Sequence, residues 1–468
     1  MKFNKYWSQD QMRLPIVDVG QVYVNRIAPN PDGALVAWNK ADGECAIWVA
    51  ERDAEQFALA GKCFGEEFVI SGLKTGKDYK FYVQCGDKKS LVRLFRTGDY
   101  VGTVINYLHP DDNSYLFSGK YVCSPTMVRL PDGALLAAHD FYGPEHCNSL
   151  SAVFRSEDDG KTWKHVCELF PCFWPTLFVH KGRLFCLACS TAQGDLVIGE
   201  SKDGGHTFEG PVTLFRGLNG KEDWEGCLKC PMPITEHDGR LWTEMNWGTW
   251  RRKYAIMAAS ADVDGDLMDP ANWAFTEPVY FDRNWPGMPE MTKDSWGMIE
   301  GNMFVKDGQL YELMRLNMHD CVGDKCGKAV LMKVNTKDPE APLEYVSCID
   351  FPANESKFYI LFDDVTDCYY CMGNNLMELG LDMQNATFMP RNHLCLFKSK
   401  DSKNWTKVCD VLDARHLDEK KDGYQYPTFI FDGEDILFVS RTALNGAFRT
   451  HDSNCMTFHR LKNFRTLG

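Results

Sequence analysis

The 468-residue sequence lacks any run of about 18 apolar residues, the length a helix needs to cross a bilayer, so no membrane span is expected. It also lacks the G-x-x-x-x-G-K-[ST] loop and the dinucleotide glycine fingerprint, so no cofactor is expected. Positive charge is in deficit: 51 Lys and Arg stand against 65 Asp and Glu, a net charge of −14. Nucleic acids are held by basic surfaces, so they are not expected as partners, whereas a locally basic pocket for a small anion is compatible with this balance. The first ten residues, Met-Lys-Phe-Asn-Lys-Tyr-Trp-Ser-Gln-Asp, have no apolar core of signal-peptide length, which leads to the expectation of a cytoplasmic protein. Low-complexity linkers and charge blocks are absent as well.

Cysteine, by contrast, is abundant. Nineteen residues, an odd number, in a chain expected to be cytoplasmic read as reduced thiols packed like small hydrophobes. Two C-x-x-C pairs occur, Cys227/Cys230 and Cys368/Cys371. Zinc ribbons use that spacing, but residues three apart in a strand face opposite sides. His109, His180 and His319 form no cluster of ligand spacing, and no metal is expected. Aromatic residues make up 13% of the chain and recur at strand-like positions.

Two repeats organise the sequence. The first is Ser156-Glu-Asp-Asp-Gly-Lys-Thr-Trp163, or S-x-D-x-G-x-T-W. Gly160 permits a tight turn at positive φ, Asp158 is a turn aspartate that can bond its own backbone two residues on, and Trp163 is a large apolar anchor at the start of a strand. Ser201–Phe208 repeats it closely, Ser399–Trp405 without the glycine, Thr450–Phe458 in a longer and decayed form, and Ser260-Ala-Asp262 with Trp273 more weakly. The second repeat is strand, glycine turn, strand, at Gly133, Gly182, Gly239, Gly308 and Gly433, with a degenerate copy from Asp364 to Tyr370. Six hairpins at intervals of roughly 50–70 residues match a propeller period. Each unit of about four strands cannot bury its own faces, and radial closure solves this. The fold expected is all-β: a six-bladed β-propeller over 101–468, preceded by a small β-sandwich over 19–98 and an irregular lead-in over 1–18. Val104–Leu108 is expected to pair with the last blade near Phe458–Phe464 and close the ring.

The S-x-D-x-G-x-T-W turns resemble the Asp boxes of the sialidase superfamily, which lie on blade peripheries and report fold more than function. Residues 19–98 resemble a fibronectin type III domain: Leu73 and Tyr79 before an alternating strand are similar to its tyrosine corner. An irregular β extension of the propeller is the alternative.

The resemblance implies site residues. Sialidases carry a Glu, a strand, a glycine turn and then an Arg about fifteen residues on, and Glu300 and Arg315 match that order, with Asn302 beside them. In that family the Glu activates a tyrosine nucleophile and the Arg clamps a carboxylate. A structural ion pair fits the same spacing. Arg391, ahead of a strand leading to a turn aspartate, matches a second clamp arginine. Tyr426, before the last glycine turn, matches the nucleophile; a stacking wall for a sugar fits it nearly as well. A neighbouring carboxylate is needed to deprotonate a phenol, and Glu300 could serve.

The departures are equally specific. Where sialidases open with R-I-P, this chain has Cys123-Ser124-Pro125. Where their last blade supplies a bracing Glu, it has Val439-Ser440-Arg441, so the clamp is incomplete or rebuilt with Arg441. Their acid/base Asp has no clear counterpart; His139 and Asp140 are the nearest candidates, with a loop-bracing His–Asp pair as the alternative. Trp174, Trp247, Trp250 and Trp296 are candidates for sugar stacking.

The function expected is an exo-acting glycoside hydrolase that cleaves a terminal, acidic sugar from a glycan. Two alternatives stay open. One is a polysaccharide lyase of the rhamnosyl-glucuronate type, with His139 as base and the arginines neutralising the uronate. The other is a non-catalytic glycan-binding propeller. The partner expected is a glycan, and self-association into a homo-oligomer is left open.

Overall fold

The computed structural model describes residues 22–39, 42–144, 146–217, 225–249, 254–289, 297–317, 327–353, 356–376 and 391–468. The lead-in expected over 1–18, and His319, Trp250 and Trp296, lie outside them.

The protein is a six-bladed β-propeller preceded by a small β-sandwich. In the sandwich, Val24–Asn30, Gly33–Trp38 and Glu67–Ile70 form one sheet. Ala58–Cys63, Cys45–Glu51, Asp78–Cys85, Lys88–Lys89 and Arg93–Arg96 form the other. Asp78–Cys85 alternates strictly between buried and half-buried positions, and its buried set packs with Trp38, Ile47 and Phe95. The Tyr79 hydroxyl accepts the Lys74 N–H at 3.0 Å. Cys45 and Cys85, facing each other across paired strands with Cα atoms 4.2 Å apart, form a disulfide. The expectation of reduced thiols throughout therefore fails at this pair.

Each blade is an antiparallel sheet whose first two strands form one of the hairpins. Gly133, Gly182, Gly239, Gly308 and Gly433 stand in their turns at positive φ, and the fifth blade uses Asp367 instead. First strands of neighbouring blades touch around the axis, while apolar clusters fill the seams between blades. Ring closure comes from Thr103–Tyr107, which pairs with Cys455–Leu461 of the last blade, Thr103 opposite Phe458 and Tyr107 opposite Cys455. The sandwich grips this closing strand: Arg26 donates to the Ile105 and Val104 carbonyls, at 2.7 and 3.2 Å, and the Ile27 N–H reaches Asn106.

The Ser156–Trp163 turn is closed by hydrogen bonds among its own residues. Ser156 Oγ accepts the Gly160 N–H and donates to Asp158, both at 2.9 Å, and Asp158 accepts the Thr162 N–H and hydroxyl. The aspartate thus bonds four residues on, not two. The turn staples its blade to the preceding one: Gly160 and Trp163 pack on Phe458 of the last blade. Gly205 of the second turn lies on Leu136 of the first blade, and Asp401 of the turn at Ser399 accepts Lys306 of the fourth. Thr450–Asp452, read as a decayed copy, instead precedes the third strand of the last blade, so it is not equivalent to the others.

Candidate active site

Three inner strands share a defect. Register slips by one residue between Phe173 and Thr176 in the second blade, Ile299 and Asn302 in the fourth, and Gln425 and Thr428 in the sixth. The residues at the slips are Trp174, Glu300 and Tyr426, with φ of 57°, 58° and 52°. A left-handed backbone under a bulky side chain costs about 1–3 kcal/mol and persists where the surroundings enforce it. A bulge re-aims a side chain that alternation would send elsewhere. Arg315 and Arg441 stand in equivalent places, on second strands opposite Ile299 and Gln425.

These bulges assemble a buried cluster. The Tyr426 hydroxyl donates to Glu300 Oε1 at 2.8 Å. Arg315 bridges the pair, donating to Glu300 Oε2 at 2.5 Å and to the Tyr426 oxygen at 3.2 Å. Arg391 and Arg441 lie over the Tyr426 ring, 5.8 and 5.1 Å from its centroid. Arg391 also donates to the Gln425 side chain, and Arg441 to Cys123 Sγ at 3.4 Å and to the His451 carbonyl. The last blade's arginine thus reaches the cysteine that stands in place of the R-I-P arginine.

Burial pushes the Glu300 carboxyl up, but the adjacent Arg315 guanidinium and three side-chain hydrogen bonds outweigh it, and the group sits below its ordinary value. Tyr426 goes the opposite way, raised strongly by burial and then by the Glu300 charge. The resting pair is a carboxylate and a neutral phenol. Burial lowers Arg391 to about 10, with Arg315 and Arg441 adding like-charge repulsion.

The sequence did not single out the supports of this cluster. The Cys230 thiol donates to Glu300 Oε1 at 3.3 Å, and Asn246 accepts the Glu300 N–H at 3.1 Å. Nearby, buried Lys229 lies 3.5 Å from Glu244. Burial lifts Glu244 to about 7, raises Glu312 and lowers Lys357 to about 7.

Four expected residues sit differently. His139 is fully buried: its Nε2 meets Asn106 at 2.9 Å, its ring stacks on Phe154 and leans on Phe141. It belongs to the seam where the closing strand meets the first blade, and burial lowers it to about 4. Asp140 points the other way along the same strand, but it too is sealed. Its two oxygens accept the Ser124 N–H at 2.6 Å and the Trp174 N–H at 3.0 Å, so it braces two inner strands; burial raises it to about 7. Asn302 bridges blades, accepting from the Ile360 N–H and donating to the Phe358 carbonyl. Trp174 is 5% exposed and packs on Phe173 at 4.5 Å, a core residue and not an open stacking face. Among the C-x-x-C residues, Cys368 and Cys371 pack into different cores.

No protein-family model matches the chain, and no curated protein matches it in sequence. Solved structures do. An α-L-arabinanase from Penicillium chrysogenum, complexed with arabinobiose, superposes with a TM-score of 0.50 at 15% identity, over 79% of this chain and 99% of that one. A Hadza microbial sialidase gives 0.51 at 12% identity, over 94% and 98%. Both are glycoside hydrolases, and the chain shares their β-propeller fold.

Proposed function

We propose that this protein is an exo-acting glycoside hydrolase that releases a terminal acidic sugar from a glycan, with Tyr426 as nucleophile, Glu300 as its base, and Arg315, Arg391 and Arg441 as the anion clamp. The observation that carries this reading is the 2.8 Å hydrogen bond from Tyr426 to Glu300, bridged by Arg315. Tyr426 Oη attacks the anomeric carbon as its proton passes to Glu300 Oε1, and the leaving oxygen departs with a proton taken from a solvent water, which becomes hydroxide. That hydroxide then attacks the anomeric carbon of the tyrosyl ether, freeing the sugar, while Glu300 returns its proton to the Tyr426 oxygen. A substrate carboxylate draws Arg315 away from Glu300, which raises the basicity of Glu300 when the phenol must give up its proton. Three guanidiniums around one ring suit a carboxylate better than a neutral sugar. Arg441 supplies from the last blade the charge that Cys123 lacks.

The reading assigns no proton donor, because His139 and Asp140 are both sealed in protein. The same burial deprives the lyase alternative of its base. Residues 19–98 are read as a fibronectin type III-like module, on the Tyr79 hydrogen bond and the two-sheet arrangement.

The test is a panel of sialosides, glucuronides and neutral arabinosides, assayed for reducing sugar and for unsaturated-uronate absorbance. Reducing sugar released from a carboxylate-bearing glycoside, and lost in Tyr426→Phe, supports the reading. Unsaturated product, or binding without turnover, overturns it.

A further inference from the structure

We propose that the fifth blade holds a zinc site formed by His393, Cys395 and Asp410, separate from the axial cluster. His393 and Cys395 are two apart in the third strand, His393–Ser399, and so share a face. Asp410 lies directly opposite Cys395 in the outer strand, Thr406–Asp413, where a register slip turns it to that face. His393 Nε2 is 2.7 Å from Asp410 Oδ1 and 3.2 Å from Cys395 Sγ, and the sulfur is 3.4 Å from the same oxygen. Both the histidine and the cysteine are buried, while Asp410 is half-exposed and offers a path inward.

The convergence does not have the layout of a catalytic thiol. A nucleophilic thiol relay needs the sulfur and the carboxylate on opposite ring nitrogens, whereas here both face Nε2. The Cys395 thiol donates to Asp410 Oδ1 while its sulfur also lies against His393 Nε2, so three different ligand atoms crowd one point. Zinc takes nitrogen, sulfur and oxygen at about 2.0–2.3 Å in a tetrahedral array, and a triangle of this size needs only a few tenths of an ångström of expansion to close on it, leaving a fourth position toward solvent. Lys407 Nζ, 2.6 Å from Asp410 Oδ1, competes for the carboxylate, and Arg415 lies 3.8 Å from its other oxygen. Lys407 is on the blade surface, where its long stem can swing away. This proposal departs from the expectation that the chain binds no metal.

The site has a structural consequence. The His393 carbonyl accepts the Asn375 N–H at 2.9 Å, and Arg391 lies two residues ahead of His393. A metal on His393 would anchor the strand that presents Arg391 to the axis.

The full chain, kept reduced with a non-thiol reductant, is titrated with Co2+ as a spectroscopic probe and then displaced with Zn2+. One equivalent of Co2+ should give a thiolate-to-metal charge-transfer band with the intense visible bands of a four-coordinate ion, and Zn2+ should remove both. Cys395→Ser should abolish the charge-transfer band. Asp410→Asn should weaken binding by at least about tenfold. Lys407→Met should tighten it, a gain that an ordinary ion pair does not predict. If Cys395→Ser fails to fold, the two surface variants decide alone. No uptake of either metal, a band that survives Cys395→Ser, or affinity unmoved by both Asp410→Asn and Lys407→Met would overturn the proposal.

Discussion

The turn at Ser156–Trp163 and the inner strands at Glu300 and Tyr426 both force the backbone into positive φ, but with different residues. At the periphery the left-handed positions include Gly160, and Ser156, Asp158, Thr162 and the Trp163 indole are all bonded within eight residues. At the axis the left-handed residues are a glutamate and a tyrosine, and the bonds they make join three different blades. The outer turn takes most of its polar bonds from its own eight residues and rests its Gly160 and Trp163 on Phe458. The axial geometry is imposed from outside, by a closed ring that holds the strands in place. This difference predicts where stability and where turnover should respond to change.

The largest effect should follow Tyr426→Phe. It removes the proposed nucleophile but keeps the ring beneath Arg391 and Arg441, so kcat should fall by roughly 10²–10⁴-fold or more while KM changes little. Steady-state kinetics on the best substrate of the panel checks this, and a near-normal kcat would break the distinction between the two regions. Next is Arg315→Met, which leaves the buried Glu300 carboxylate without its cation. Loss of one partner of a buried pair costs about 3–5 kcal/mol, readable by urea denaturation. In the wild type the depressed Glu300 contributes stability above its ordinary value of 4.5 that is lost as pH falls below it. The variant should lose this acid-side slope.

Glu244 has the opposite sign. Its carboxyl is raised to about 7 from 4.5, so the folded state favours the neutral form, and this contribution is present at low pH and lost as pH rises through about 7. Glu244→Gln should therefore lose less melting temperature than wild type between about pH 5 and pH 8. Lys357, lowered to about 7, slopes the other way and remains in both proteins.

The peripheral changes should be smaller and confined to stability. Gly160→Ala places a Cβ 2.1 Å from the Phe458 ring at a φ of +83°, and should cost about 1–3 kcal/mol with kcat unchanged. Ser402, which takes the glycine's place in the fifth blade's turn at a φ of 58°, offers the mirror experiment. Ser402→Gly relieves the backbone but loses a hydroxyl bond to the Asp401 carbonyl, so a gain of less than about 1 kcal/mol is expected, seen as a small rise in melting temperature.

The same contrast explains what could be read from sequence. Turns built on Gly133, Gly182 or Asp158 carry their geometry in local chemistry, so hairpins, blade number and the closing strand were legible. Glu300, Arg315, Arg391 and Tyr426 were found by their order along the chain, and the structure brings them together. The supports were not legible: nothing local marks Cys230, Asn246 or Gln425 as neighbours of residues in distant blades. His139 and Asp140 stand on opposite faces of one strand, and the sequence carries no local sign that both of those faces are covered. One signal was available and unused. Trp174 and Tyr426 each precede a proline, Pro175 and Pro427, within an inner strand, where proline marks a bulge or an edge.

The closing strand has a consequence for how the molecule is made. Thr103–Tyr107 leaves the ribosome long before Cys455–Leu461 exists to pair with it. During that interval the sandwich can already hold it through Arg26 and Asn106, although its hydrophobic cluster is completed only when Cys455 arrives. Ribosome-bound chains halted before residue 455 should accordingly resist protease over the sandwich while the blades remain cleavable. The sandwich would then act as a holder during synthesis, keeping the first strand of the closure out of wrong pairings until the last blade arrives.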